Sequence, residues 1–144
     1  MTEARLRATI GILAVIGLGI AGYLTYLHYA GGSPYCLAGG GGCEQVQESD
    51  YAKLAGIPVA VLGLVAYMAL LVTALVPGPT SAAAGAGMAL TGVVFSAWLL
   101  YAQLVLIEAV CQWCVANDVV ITMIAMVAVW RLRQTTLAES APSI

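Results

Sequence analysis

The sequence predicts an all-α integral membrane protein, a four-helix bundle with a short helix in an extracytoplasmic loop. Hydrophobic residues make up 62% of the 144 positions and charged residues only 8%, whereas a soluble domain carries roughly 25% charged residues. The mean hydropathy is +0.97, and four apolar runs are each long enough to span a bilayer. The net charge of −2 offers no basic surface for nucleic acid.

Four apolar runs occupy most of the chain and predict the four spans. The first two runs carry no charge, the third has a Gly/Ala-rich beginning, and the fourth contains only Asp118. The spans are expected at about residues 8–27, 57–76, 82–107 and 110–130. They leave no room for a second folded domain, so residues 1–144 are expected to form a single transmembrane domain. The first run is longer than the apolar region of a signal peptide, which is the alternative interpretation of the N-terminus.

Basic residues at the ends of these runs predict the orientation of the protein. Arg5 and Arg7 precede the first run, and Arg131 and Arg133 follow the fourth. Lys and Arg near the ends of spans mark the cytoplasmic side, so both termini are expected in the cytoplasm. The acidic loop 29–56 and the turn before the fourth span then lie outside. We expect a multi-pass protein of the bacterial inner (plasma) membrane, with its outer side in an oxidising compartment.

The outer loop is expected to contain the short helix. The sequence Gly31-Gly-Ser-Pro34 ends the first span, because Gly and Pro cannot continue a helix well. Residues 39–42 are four glycines and form a flexible stretch. Residues 44–54 can form a short surface helix, which Ser49 is a candidate to cap. Pro58 lies near the start of the second span, where its missing N–H costs little.

The four cysteines form two pairs with different spacings. Cys36 and Cys43 enclose six residues, and Cys111 and Cys114 form a C-x-x-C at the expected start of the fourth helix. The unpaired N–H groups and partial positive charge of a helix N-terminus favour the reactive thiolate. The glycine-rich pair is mobile when reduced, so it can meet a soluble partner and the C-x-x-C in turn. With all four on the outer side, the pattern predicts electron transfer by thiol exchange.

Two other roles for the cysteines remain open at this point. Four thiolates can bind one zinc ion, but structural zinc sites usually pair two short-spaced motifs, and Cys36-x6-Cys43 is not one. No metal is therefore expected. Two inert structural disulfides are the second alternative. A disulfide that closes so short a loop gains little from chain entropy, and a structural role does not explain a C-x-x-C at a helix start.

Short motifs follow one another in a specific order along the chain, although each is weak by itself. They are Cys36…Cys43, Ser49, Gly56-Ile57-Pro58, Gly63, Ala66-Tyr67, Phe95-Ser96, Tyr101-Ala102-Gln103, Ile107 and Cys111-Gln-Trp-Cys114. The ordered set resembles a bacterial homologue in the vitamin K epoxide reductase family, and the resemblance extends from the first helix through Asp118. The resemblance implies a four-helix bundle that encloses a quinone, ubiquinone or menaquinone, near the C-x-x-C.

The resemblance also implies a route for electrons. A thioredoxin-like protein reduces the loop pair at Cys43, Cys36 then attacks Cys111, and the released Cys114 passes electrons to the quinone. The sequence supports the last assignment, because Cys114 lies three residues deeper in the helix than Cys111. Many relatives carry a fused thioredoxin-like domain, whereas eleven residues follow Arg133 here. The partner is therefore expected to be a separate, DsbA-like extracytoplasmic protein.

Four residues outside the cysteine pairs are candidates for quinone contacts. Asp118 follows Cys114 by one helical turn, and a carboxylate inside a membrane usually faces a polar cavity or a partner. It is expected to hydrogen-bond a quinone oxygen, directly or through Asn117, or to supply protons. Its alternative role is that of an interfacial carboxylate that reaches water. Trp113 is placed to contact a ring beside Cys114, and the resemblance puts Ser49 beside the active site.

Three functions remain in competition. The first is a membrane oxidoreductase that transfers electrons from a protein dithiol to a quinone. The DsbB class also has four spans and two cysteine pairs, but its C-x-x-C lies in the first outer loop and its wider pair in the second. This chain has the opposite order. The third is a non-enzymatic four-span scaffold stabilised by structural disulfides.

Overall fold

Four apolar helices of alternating direction form the bundle. The computed structural model describes residues 2–32, 45–46 and 48–141, so the predictions on Cys36 and Cys43 fall outside the described residues. The helices are α1 (Glu3–Ala30), α2 (Val59–Leu75), α3 (Pro79–Tyr101) and α4 (Gln112–Ser140). A wide helical turn, Ala102–Ile107, extends α3. This architecture confirms the predicted membrane four-helix bundle.

The helices differ in length. By length and composition, α1, α4 and the continuous helical segment Pro79–Ile107 can each cross a membrane, with 28, 29 and 29 residues. The remaining helix, α2, is also apolar but has only 17 residues. At about 1.5 Å of rise per residue, α2 is roughly 25 Å long.

Two helices extend beyond the apolar runs that predicted them, because polar residues begin α1 and continue α4. Helix α1 begins at Glu3 rather than near residue 8, because the Thr2 side chain accepts a hydrogen bond from the N–H of Arg5 at 3.3 Å. Helix α4 continues to Ser140, well beyond the predicted end at Trp130. Charged and polar residues there end the apolar run without ending the helix.

Small residues allow the helices to approach one another closely. A Cβ atom on Gly92 of α3 would lie 2.9 Å from Cγ1 of Ile121 on α4, and one on Gly85 would lie 2.9 Å from Oγ1 of Thr73 on α2. Small residues at such positions are typical of packed membrane helices. The buried core drawn from all four helices includes Ile10, Ala14, Leu70, Ala89, Ile124 and Ala128.

Two arginines hold together one end of the bundle. Arg131 of α4 forms a salt bridge with Glu3 of α1 and donates hydrogen bonds to the carbonyl oxygens of Thr73 and Val76, each at 2.9 Å. Arg7 of α1 donates to two more carbonyls at the end of α2. The last carbonyls of a helix have no partner within the helix. The start of α1, the end of α2 and the later part of α4 therefore meet at this end.

A tight β-hairpin lies immediately before α2. Its strands are β1 (Lys53–Leu54) and β2 (Ile57–Pro58), which pair antiparallel. The two turn residues have positive φ angles, 54° at Ala55 and 82° at Gly56. Turns of this kind favour glycine and match the twist of the paired strands. Pro58 precedes the first residue of α2, as predicted.

The loop helix predicted over residues 44–54 is only partly correct. Gln45, Val46 and Glu48 have helical backbone, and a single 3₁₀ turn follows at Asp50–Ala52. The predicted helix was wrong at its end, because residues 53 and 54 form the first strand of the hairpin. Lys53 has extended backbone, with φ −127° and ψ 140°, which is incompatible with a continuous helix.

Candidate active site

The C-x-x-C motif occupies the start of α4. Cys111 has extended backbone geometry and directly precedes the helix, while Cys114 lies in its first turn. The N–H of Val115 donates to the carbonyl oxygen of Cys111 at 3.1 Å, which closes this turn. Cys111 is fully buried and contacts Val46, whereas Cys114 is half-buried. The two sulfur-bearing residues therefore lie at different depths.

Gln103 fixes the backbone at the entry to this motif. Its Oε1 accepts a hydrogen bond from the N–H of Cys111 at 2.8 Å. The wide turn at Ala102–Ile107 and the left-handed conformation of Glu108, with φ 57°, bring the chain back toward Gln103. Gln103 is 2% exposed, and its Nε2 has no hydrogen-bond partner among the described residues. Gln103 belongs to one of the motifs that resemble the family, but its contact with Cys111 was not predicted, because the only local signal for a role is an amide within an apolar run.

A cavity of about 580 Å³ lies within the bundle beside Cys114. All four helices contribute to its wall, together with the hairpin and the segment before it. Ligand pockets commonly have volumes of 300–1,000 Å³ and mostly apolar walls with a few polar groups. The wall here follows that pattern. Its polar residues are Ser49, Tyr51, Tyr67, Thr91, Gln103, Cys114, Asn117 and Asp118.

Three candidate residues of α4 meet at this cavity within little more than one helical turn. Cys114, Asn117 and Asp118 all contribute to its wall. Residues four positions apart share a helix face, which is why Asp118 lies below Cys114. The sequence-based expectation that Asp118 faces inward agrees with this placement.

The carboxyl group of Asp118 lacks a full set of partners. Its Oδ2 is buried and accepts no hydrogen bond from the described residues. Ser96, a buried residue of α3, interacts with the carboxyl group. A buried acceptor oxygen without a partner is costly. Its presence favours a role for Asp118 inside the cavity over that of an interfacial carboxylate that reaches water.

Ser49 reaches the cavity but does not cap a helix. Its hydroxyl donates to the carbonyl oxygen of Val46 at 2.6 Å. The 3₁₀ turn that follows Ser49 receives no hydrogen bond from its side chain. The capping prediction was therefore wrong, since the hydroxyl turns back toward the preceding segment. Its position in the cavity wall agrees with the placement that the family resemblance implied.

Trp113 lies away from the cavity wall. Its ring packs against Tyr23 of α1, with ring centroids 4.9 Å apart and planes tilted by 47°. The cavity wall includes the neighbouring Cys114 but not Trp113. The expected contact between Trp113 and a bound ring stays a prediction.

Asn117 is held by a tyrosine from a different helix. The hydroxyl of Tyr67 on α2 donates to Oδ1 of Asn117 at 2.6 Å. Tyr67 is 2% exposed. The sequence analysis included Tyr67 in a family motif without assigning it a function, because the pair is separated by 50 residues.

No group of three or more His, Cys, Asp or Glu side chains arranged for a metal ion occurs in the described part of the chain. Cys36 and Cys43, which the zinc alternative requires, fall outside that part. The absence of a metal stays a prediction.

The fold and the site define a class: a four-helix membrane protein that holds a C-x-x-C motif against a cavity inside the bundle. A sequence model of the vitamin K epoxide reductase family matches residues 8–129. The chain belongs to this family.

One curated relative has a narrower match. The chain is 49% identical over 45 residues to the thiol-disulfide oxidoreductase LTO1 of Arabidopsis thaliana. The aligned residues are 31% of this chain and 12% of the relative. The match thus covers a small part of that protein's length.

Proposed function

We propose that this protein is a membrane thiol–disulfide oxidoreductase that passes electrons from a thioredoxin-like protein to a quinone. In doing so it generates disulfides for extracytoplasmic proteins. The proposal depends chiefly on one observation: Cys114 lines the same cavity as Asn117 and Asp118. The plant relative, which is named a thiol-disulfide oxidoreductase, supports the same chemistry.

The cavity wall fits the chemistry of a quinone ring. Such a ring has apolar faces and carbonyl oxygens that accept hydrogen bonds, and its reduced form carries hydroxyl groups that donate them. Asn117 provides donors at the wall, and Ser49, whose hydroxyl hydrogen is bonded to the Val46 carbonyl, provides an acceptor oxygen. Asp118 provides a buried acceptor oxygen, Oδ2, without a hydrogen-bond partner among the described residues. Ubiquinone and menaquinone share these features.

Electrons are proposed to move by thiol exchange through both cysteine pairs. The partner's dithiol reduces the Cys36–Cys43 disulfide through a mixed disulfide at Cys43, and the partner leaves oxidised. The Cys36 thiolate then attacks Sγ of Cys111, which breaks the Cys111–Cys114 bond and releases the Cys114 thiolate. Cys43 then attacks Cys36, so that the loop disulfide reforms and Cys111 becomes a thiol. The cycle closes when the Cys111–Cys114 disulfide reforms and the two electrons of that pair pass to a quinone.

The quinone, when bound, supplies a sink for two electrons. Cys114 is the thiolate nearest to it, because Cys114 lines the cavity and Cys111 does not. Asn117 orients the ring. Asp118 faces the same cavity, where its Oδ2 carries a proton for delivery to the ring and becomes an acceptor once that proton has left.

The architecture supports the proposed orientation. The basic residues Arg7 and Arg131 lie at one end of the bundle, and Cys111 opens α4 at the opposite end. We propose cytoplasmic termini, outward-facing cysteines and a location in the bacterial inner membrane. We also propose one transmembrane domain over residues 1–144 and a separate DsbA-like partner.

A reconstituted assay tests the proposal. The full-length protein, in lipid nanodiscs, is mixed with a reduced thioredoxin-fold protein and a decyl-substituted benzoquinone, and quinone absorbance is followed. We expect quinone loss that stops in Cys114→Ser. A structural scaffold gives no cysteine-dependent loss, and that result would reject the proposed function. Membership of the vitamin K epoxide reductase family favours an enzyme of that type over one of the DsbB class.

A further inference from the structure

Tyr67 connects three helices at the cavity wall. It belongs to α2, and its ring lies against Gly17 of α1 so closely that a Cβ atom on Gly17 would overlap it. Its hydroxyl reaches α4, where it donates to Oδ1 of Asn117 at 2.6 Å. Packing at one end and a hydrogen bond at the other leave this side chain little freedom.

The hydrogen bond sets the direction of the Asn117 carboxamide. A carboxamide has an acceptor oxygen and a donor nitrogen on opposite sides. Tyr67 engages Oδ1, so the two N–H groups of Nδ2 point the other way. Nδ2 has no hydrogen bond to the described residues, yet it is absent from the buried polar atoms that lack a partner. Because Asn117 lines the cavity, these donors are accessible there.

Reversal of the carboxamide is unfavourable while Tyr67 is present. In the reversed orientation, Nδ2 would donate to the phenol oxygen, and the phenol hydrogen would exchange its 2.6 Å bond to Oδ1 for a longer one, 3.5 Å, to the backbone carbonyl oxygen of Asn117. A hydrogen bond of that length is weak, so the exchange is unfavourable. The reversed carboxamide would also present an oxygen to the cavity, which cannot bind a carbonyl oxygen.

We propose that Tyr67 is a positioning residue for a carbonyl-bearing ligand of this cavity. It acts by fixing Asn117 so that Nδ2 donates to a carbonyl oxygen of the ligand. Gly17 is required because a side chain at that position would displace the tyrosine ring. The inference rests on the proposed function, in which Asn117 contacts the quinone.

The test is a double-mutant cycle on the full-length protein in nanodiscs. Tyr67→Phe keeps the ring against Gly17 and removes only the hydroxyl. With the decyl-substituted benzoquinone as probe, we expect about a fivefold rise in KM for Tyr67→Phe and for Asn117→Ala, the size of one neutral hydrogen bond. Because Tyr67 acts through Asn117, the double variant should match Asn117→Ala alone.

Two further measurements separate positioning from general damage. Reduction of the protein by its thiol donor, measured without quinone, should proceed at the wild-type rate in Tyr67→Phe. The control is Tyr26→Phe, which removes the hydroxyl of an exposed tyrosine on α1 and should leave KM unchanged.

Each outcome has a defined meaning. If KM is unchanged in Tyr67→Phe, or if the effects of the two substitutions add in full, the positioning role is overturned while the proposed function stands. If the wild-type protein does not consume the quinone, the proposed function fails and the positioning role fails with it.

Discussion

Arg131 of α4 and Glu3 of α1 form a salt bridge that joins the first and last helices of the bundle. Nε of Arg131 lies 2.9 Å from Oε1 of Glu3, and the arginine side chain is 1% exposed. The same guanidinium also donates to the carbonyls of Thr73 and Val76 near the end of α2. A buried charge is tolerated when it is paired and hydrogen-bonded, and each of the three guanidinium nitrogens of Arg131 has a partner.

Replacement of Arg131 should destabilise the bundle strongly. Arg131→Gln removes the partner of Glu3 and the donor to the Val76 carbonyl oxygen, while the Thr73 carbonyl oxygen keeps its hydrogen bond from Ser81. Loss of one partner from a fully buried ion pair costs about 3–5 kcal/mol. Because the Glu3 side chain is 34% exposed, the loss is expected at or below the lower end of that range. Denaturant unfolding in detergent micelles measures the change in unfolding free energy. Arg133→Gln is the matched control, because Arg133 is exposed and carries the same charge; equal losses in both variants would contradict this prediction.

Alanine substitutions at two glycines of α1 should have opposite effects. Gly17→Ala forces the ring of Tyr67 to move, and overpacking of this kind costs about 1–3 kcal/mol. Gly19→Ala places a methyl group where no atom lies within 4 Å, and it removes the helix penalty of glycine, roughly 0.5–1 kcal/mol. Thermal unfolding of both variants checks the difference in sign. A stable Gly17→Ala protein would mean that Tyr67 has room to relax.

Loss of the Gln103 side chain should slow thiol exchange more than it destabilises the fold. In Gln103→Met, the N–H of Cys111 loses its acceptor, but the unpaired Nε2 is also removed, so the two effects on stability partly cancel. Misplacement of Cys111 should slow reduction of the C-x-x-C about tenfold, the effect of one good hydrogen bond. Stopped-flow fluorescence of Trp113 reports the rate. Gln134→Met, at the other end of α4, provides the control and should react at the wild-type rate.

Removal of Cys43 should trap the two pairs together. Once Cys36 has attacked Cys111, only a second thiol can resolve the mixed disulfide. Cys43→Ser is therefore expected to accumulate a Cys36–Cys111 bond, detected by mass spectrometry of non-reduced peptides. Cys36→Ser, as the control, cannot form this bond. Recovery of Cys36 only as an unpaired thiol in Cys43→Ser would show that the proposed relay order is wrong.

Asp118 should affect the rate of quinone reduction rather than ligand binding. Asp118→Asn keeps the shape of the side chain but removes its ability to carry a proton. Positioned acids and bases contribute about 10²–10⁴-fold to rates, so kcat should fall by about 100-fold with KM little changed. Asp50→Asn, in the exposed segment before the hairpin, is the control. If Asp118→Asn reduces quinone at the wild-type rate across the pH range, proton supply must come from elsewhere.

Much of the bundle could be predicted from the sequence, because apolar runs and helix periodicity are local signals. The C-x-x-C at the start of α4 and the inward direction of Asp118 follow from spacing along one helix. The contacts of Tyr67 and Gln103 could not be predicted in this way. Each depends on a partner in another segment. Asn117 is 50 residues from Tyr67. Gln103 contacts the N–H of Cys111 because the wide turn after α3 brings the chain back toward it.

The hairpin was missed for a different reason. Its strands have two residues each, too few for an alternating pattern to emerge. The only local signal for the turn was Gly56. The other turn residue, Ala55, gave none, since alanine rarely takes the left-handed conformation that it has here.

The shortness of α2 makes the surrounding lipid a determinant of access to the cavity. The hydrocarbon core of a bilayer is about 30 Å thick, more than the roughly 25 Å of this helix. A short span is accommodated by local thinning of the bilayer or by flanking residues drawn inward. The flanking residues here belong to the hairpin, whose Leu54 contributes to the cavity wall. Hydrophobic mismatch therefore acts on one part of the cavity wall, and acyl-chain length should alter quinone entry without any change in the protein.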